Sequence, residues 1–255
     1  MYPVLFEIFG FKVHSFGLLM LIAFGTALLL ARSRGPRFGF THEQISDVGF
    51  WALIAGVLGA RVAFLAQEIP YYLEHPEKLL TLQFEGLTSF GGLLFGFLAV
   101  VVACRRMKKP LWNLLDVLAP AMLVGHIIGR IGCLLNGCCY GGHCDLPWAI
   151  HVQGEVGLFH PAQVYDSLMN LGALGLLLFM ERRGLKAGQT FGWFLVLHGA
   201  ARFIYEFWRA GTTSTTMGSL PITEAHVAAL VLVLAGGIIL AKSRRNSDQP
   251  QPEAV

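Results

Sequence analysis

Three arginines, Arg61, Arg130 and Arg202, stand inside long runs of apolar residues. A cation held in hydrocarbon without a partner costs roughly a few kcal/mol, so each of them needs an acid, a route to the interface or an anionic ligand. For Arg202 an acid is at hand: Glu206 follows four residues later, on the same helical face. Asp116 is a second acid available for pairing, and Arg61 can extend its stem toward the outer interface. Arg130 has fewer such options, because its sequence neighbours are glycines and polar residues near the end of its run.

The stretch Gly125 to Cys144 is the densest in chemistry. Gly125, Gly129, Cys133 and Gly137 recur every four residues and put small side chains on one helix face, where another backbone or a lipid head group can approach. A guanidinium beside such a groove is a forked, permanently charged donor suited to phosphate, and at this depth the matching ligand is a phosphodiester lipid.

Cysteines crowd the same region: Cys133, Cys138, Cys139 and Cys144, with His143, while Cys104 stands apart. Disulfides fixing an outer loop, a metal site, or thiol chemistry coupled to a quinone are all open to such a cluster. The disulfide reading is favoured, since the paired C-x-x-C spacing of zinc sites is missing and adjacent cysteines are awkward ligands for one ion.

These residues must be positioned by membrane helices. Only 14% of the 255 residues are charged, 55% are apolar and the mean hydropathy is +0.58, which points to a single membrane domain over residues 1–245. Seven stretches approach the ~20 residues that a crossing helix needs. They run from Val13 to Ala31, Ile45 to Ala66, Ser89 to Cys104, Leu111 to Leu135, Pro161 to Met180, Thr190 to Trp208 and Ala225 to Ala241. None alternates apolar and polar residues in a sustained way, so an all-α polytopic fold is expected rather than a barrel. The first stretch lacks a small-residue cleavage site and reads as a retained helix.

Basic residues set the orientation. Arg32, Arg34 and Arg37, then Arg105, Arg106, Lys108 and Lys109, then Arg182, Arg183 and Lys186, and finally Lys242, Arg244 and Arg245 follow alternate stretches. With seven crossings these 13 of the 19 Lys and Arg fall on one side, and the opposite loops hold only Lys78 and Arg209. The N-terminus is therefore expected outside and the C-terminus in the cytoplasm. Residues 246–255 read as a disordered tail. A net charge of +3, spread over short clusters, offers no face for nucleic acid.

With these residues in place the chain resembles the prolipoprotein diacylglyceryl transferase family. GRIGCLLNGCCYGG, residues 129–142, is similar to the family signature G-R-x-G-N-F-x-N-x-E-x-x-G. Four further motifs lie along the chain in the matching order: HSFGLLM from His14, GLTSFGG from Gly86, HPAQVY from His160 and RFIYEFWR from Arg202. The resemblance implies transfer of the diacylglyceryl group of phosphatidylglycerol to the lipobox cysteine of a preprolipoprotein, forming a thioether and releasing glycerol phosphate. It also implies a monomer in a bacterial inner membrane, with its site toward the extracytoplasmic side and with no metal or organic cofactor required. Arg130 and Arg202 then serve as phosphate-binding and catalytic arginines, and Gly141 permits a close backbone approach. Arg61, His160, Gly91 and Gly92 complete the expected substrate-binding set.

The departures from the family pattern are specific. Phe90 stands where the family's proposed base, a histidine, precedes the glycine pair, and Phe16 replaces an aromatic hydroxyl. His198 replaces a tyrosine, Cys133 the signature Asn and Cys138 the signature Glu. A substitute base is sought first at His198, four residues before Arg202 and on the same helix face, and then at His14 and His160. Two other readings stand beside the transferase: a diverged paralogue with another acceptor, and a membrane thiol redox or metal-binding protein using the cysteine cluster.

Overall fold

The computed structural model describes residues 2–8, 11–69, 71, 88–209 and 222–245. The predicted tail 246–255, Lys78 and Gly86 lie outside these. Among the described residues are seven α-helices: α1 Ser15–Arg34, α2 His42–Gln67, α3 Ser89–Arg106, α4 Leu111–Asn136, α5 Ala162–Glu181, α6 Gln189–Glu206 and α7 Glu224–Arg245. Each falls on one of the seven predicted stretches. Five segments are long and apolar enough to cross a membrane: Ser15–Phe38, His42–Gln67, Leu111–Asn136, Ala162–Glu181 and Glu224–Ser243. The remaining helices, α3 and α6, have 18 residues each, close to the least that spans a ~30 Å hydrocarbon core at about 1.5 Å per residue. Leu21, Leu58, Leu93 and Leu234 are more than half exposed, an arrangement that suits lipid contact and would be costly in water.

One element departs from the expected all-helical pattern. Strands β1, Val4–Ile8, and β2, Phe11–His14, pair antiparallel with Val4 opposite His14 and an irregularity between Val4 and Phe6. His14, expected early in the first span, is therefore an exposed strand residue. The helix begins at Ser15, whose N–H donates to the Pro3 carbonyl. Only β2, Phe-Lys-Val-His, alternates, and four residues are too few to stand out beside a 20-residue apolar run.

The chain forms two compact units, residues 32–114 and residues 1–31 with 115–255. In the first, α2 begins with a capping box: Thr41 Oγ1 accepts the Gln44 N–H at 3.1 Å, and Gln44 Oε1 accepts the Thr41 N–H at 3.0 Å. Helices α2 and α3 meet through glycines. A Cβ on Gly91 would collide with Ala63 and stand 2.5 Å from the Gly59 carbonyl oxygen, so this contact admits no side chain.

In the second unit α1 packs against α4, with Gly125 facing Ala27 and Gly132 facing Leu19. Two of the glycine positions in the small-residue stripe, Gly125 and Gly129, thus receive residues of α1. Ala119, Leu123, Ala173, Leu177 and Phe194 form the core between α4, α5 and α6. Asp116 is fully buried there and accepts the N–H groups of Gly188 at 2.6 Å and Phe191 at 2.8 Å. A carboxylate placed on the open donors of a helix N-terminus is satisfied locally, and Asp116 is spent on α6.

Candidate active site

The second unit gathers Arg130 of α4, Asp166 and Asn170 of α5, and His198, Arg202, Tyr205 and Glu206 of α6. Asp166, fully buried, lies at the centre. Its Oδ2 is 2.5 Å from Arg130 Nε, an ion pair off the line of a hydrogen bond, and 3.0 Å from His126 Nε2. Its Oδ1 accepts from Asn170 Nδ2 at 2.7 Å. Asn170 Oδ1 in turn lies 2.7 Å from His198 Nδ1.

This chain of contacts fixes a tautomer. With the Asn170 amide nitrogen donating to Asp166, its carbonyl oxygen can only accept, so His198 carries its proton on Nδ1 and its lone pair on Nε2. The His198 ring stacks on Phe194 and meets the His126 ring edge to face, with centroids 4.9 Å apart.

Arg202 pairs with Glu206 through Nη2 and Oε2 at 2.8 Å. Glu206 is itself buried, accepts the Thr223 hydroxyl at 3.1 Å and has Arg209 Nη1 at 3.9 Å. The local helical pair offered by the i, i+4 spacing is therefore formed, yet it does not exhaust the guanidinium. Arg202 Nη1 is buried and, among the described residues, has no hydrogen-bond partner. The ring of Tyr205 joins the two cations, with Arg130 Cζ 4.9 Å and Arg202 Cζ 4.8 Å from its centroid.

Gly141 has a clear steric reason. Its N–H donates to the His160 carbonyl at 2.9 Å, and it bridges antiparallel to Arg209. A Cβ here would overlap the Trp208 carbonyl oxygen and stand 2.6 Å from His160 Cβ. His160 belongs to the same frame. Trp148 Nε1 donates to the Tyr165 hydroxyl at 2.7 Å, and that hydroxyl lies 3.2 Å from His160 Nδ1.

Three of the expected site residues sit in the other unit. Arg61 lies over the ring of Phe64 on α2, and Gly91 and Gly92 line the contact with that helix. Phe90, in the family's histidine position, is 80% exposed. His14 ends strand β2.

All five cysteines are free thiols, which corrects the favoured disulfide reading. Cys133, Cys138 and Cys139 converge, with their sulfurs all within 4.8 Å of one another. Cys144 follows a different course, donating its N–H to the Leu158 carbonyl at 3.0 Å. The Cys139 thiol is held below the usual thiol range by hydrogen bonds with Cys133 and Cys138, and Arg130 and Arg209 add a favourable charge.

Sequence reasoning missed Asp166, His126 and Asn170. Asp166 carried a signal, an acid within an apolar run, but nothing in sequence pairs it with an arginine 36 positions away.

A model of the prolipoprotein diacylglyceryl transferase family matches residues 3–242. The chain is 33% identical over 239 residues to a phosphatidylglycerol–prolipoprotein diacylglyceryl transferase of Geobacter sulfurreducens, covering 92% of each chain. A protein of that name from Campylobacter curvus is 32% identical over 250 residues, covering 93% of this chain and 92% of its own. Another from Clostridium tetani is 29% identical over 215 residues, or 82% of this chain and 86% of the relative.

Proposed function

The chain belongs to the prolipoprotein diacylglyceryl transferase family, and from that premise we propose that it transfers the diacylglyceryl group of phosphatidylglycerol to the lipobox cysteine of a preprolipoprotein. The observation that carries this is the unspent, buried Nη1 of Arg202, on a guanidinium that shares the Tyr205 ring with Arg130. Two fixed cations with a donor to spare suit a phosphate that gains charge as it leaves.

In the reaction the acceptor sulfur forms a bond to the glyceryl carbon as the bond from that carbon to the phosphate oxygen breaks. Glycerol phosphate departs against Arg130 and Arg202. The thiol proton passes to a base, since the thiolate is the nucleophile. His198 fills this role, its Nε2 lone pair presented by the contacts of Nδ1 with Asn170 and of Asn170 with Asp166. Asp166 fixes Arg130 by charge and leaves the outer nitrogens of its fork for the phosphate. Gly141 holds the loop against the end of α6, and His160, in the same frame, contributes to substrate binding. The chain works as a monomeric domain over residues 1–245, crossing a bacterial inner membrane seven times. Its N-terminus is outside, its C-terminal tail is cytoplasmic and its site faces the extracytoplasmic side, an arrangement supported by the four basic clusters.

Two variants separate this activity from thiol redox chemistry. Arg130→Ala should abolish lipidation of a reporter preprolipoprotein in cells that depend on this chain, whereas a chain with all five cysteines replaced by serine should still support it. The opposite pattern would assign the function to the cysteines.

A further inference from the structure

The transfer reaction gives no task to the three converging cysteines. Cys133 occupies the last turn of α4, and Cys138 and Cys139 follow the turn that ends it. The helix closes with Gly137 at φ 78°, a Gly137 N–H bonded to the Leu134 carbonyl, and a Cys138 N–H bonded to the Cys133 carbonyl at 3.1 Å. That closure folds Cys138 back over Cys133. Cys139 then takes φ 62°, the left-handed region that residues with a Cβ rarely adopt, and this brings its sulfur to the other two. From α5, Gln163 Nε2 holds the Cys138 carbonyl at 2.6 Å.

We propose that Cys133, Cys138 and Cys139 form a binding site for a thiophilic d10 cation, held as a three-thiolate centre. One disulfide would leave a sulfur of the three unpaired, and adjacent Cys138 and Cys139 would need a strained ring to form one, but three is a complete trigonal set for a soft ion. Metal–sulfur bonds of ~2.3 Å place trigonal sulfurs ~4 Å apart, so sulfurs already within 4.8 Å need only a small closure. All three are partly rather than fully buried, which leaves an entry path. The ligands come from one turn of chain, so the ion would clamp the end of α4 to the loop carrying Gly141.

Cadmium is a suitable probe, because its thiolate bonds absorb in the ultraviolet. The full-length protein, purified in detergent, reduced and freed of metal, is titrated with Cd²⁺. One equivalent should raise a thiolate charge-transfer band and protect three thiols from alkylation, and Cys104→Ser with Cys144→Ser should leave both unchanged. Each of Cys133→Ser, Cys138→Ser and Cys139→Ser should weaken binding by ~10-fold or more, given that even outer-shell losses cost that much. Absence of the band in the double variant, or its persistence when all three ligands are serine, would overturn the proposal. A disulfide among the three in freshly isolated protein would do the same.

Discussion

Arg130 and Arg202 come from different helices, α4 and α6, yet both guanidinium groups lie against the ring of Tyr205, at 4.9 and 4.8 Å. Two like charges are held this close because each has its own buried acid, Asp166 for Arg130 and Glu206 for Arg202. Arg130 is anchored through Nε, the nitrogen nearest its stem, so its fork stays oriented. A lysine keeps the charge but has no separate nitrogen for the anchor. Arg130→Lys should therefore lower the transfer rate roughly 100-fold or more, in the range seen when a donor to a developing oxyanion is lost, with the protein still folded by its elution profile.

Removing the acid should damage stability as well as activity. Asp166→Asn leaves the Arg130 guanidinium in the helix bundle without its counter-charge and loosens the hold on His126. A loss of about 3 kcal/mol is expected for breaking a buried pair from one side. Thermal unfolding in detergent reads this directly, and an unchanged midpoint would mean that water or lipid already neutralises Arg130.

Gly141 and Gly142 supply a paired steric test. A methyl on Gly141 meets Trp208 and His160, whereas a Cβ on Gly142 meets nothing within 4 Å. Gly141→Ala should lower both activity and thermal stability by displacing the loop from α6, and Gly142→Ala should leave both near the parent. Equal effects from the two would argue that the loop is not seated against Trp208.

The helices were legible in sequence because hydrocarbon imposes a length, and seven apolar runs of that length stand between charged or glycine-rich breaks. The strand pair Val4–Ile8 and Phe11–His14 was not, since the four alternating residues of β2 leave no comparable mark. Within the site, Arg130, Arg202 and Gly141 announced themselves as a charge where none is tolerated and a glycine closing a signature. Of their partners, Glu206 was legible from its i, i+4 spacing to Arg202 and Asp166 was not. Asp116 and Glu206 were the acids in view for pairing, but Asp116 caps α6 and Asp166 takes Arg130. That choice depends on how α4 and α5 pack, which no local spacing encodes.

The histidines differ in their contacts. His198 presents Nε2 as its basic nitrogen, while His160 has Nδ1 engaged by the Tyr165 hydroxyl. His198→Phe should abolish transfer with the protein still folded, and His160→Gln should raise the KM for the lipid while leaving far more of kcat than His198→Phe does. His126→Gln tests the neighbouring ring, bonded straight to Asp166: loss there with His198→Phe active would move the base to His126.

The most direct test of the central claim is transfer in vitro. Purified protein is given phosphatidylglycerol labelled in its acyl chains and a peptide carrying a lipobox cysteine, with Arg130→Ala as the control. The label should move to the peptide as a thioether, with one glycerol phosphate released per transfer, and Arg130→Ala should give none. A well-folded protein that leaves the peptide unlabelled would contradict the assignment.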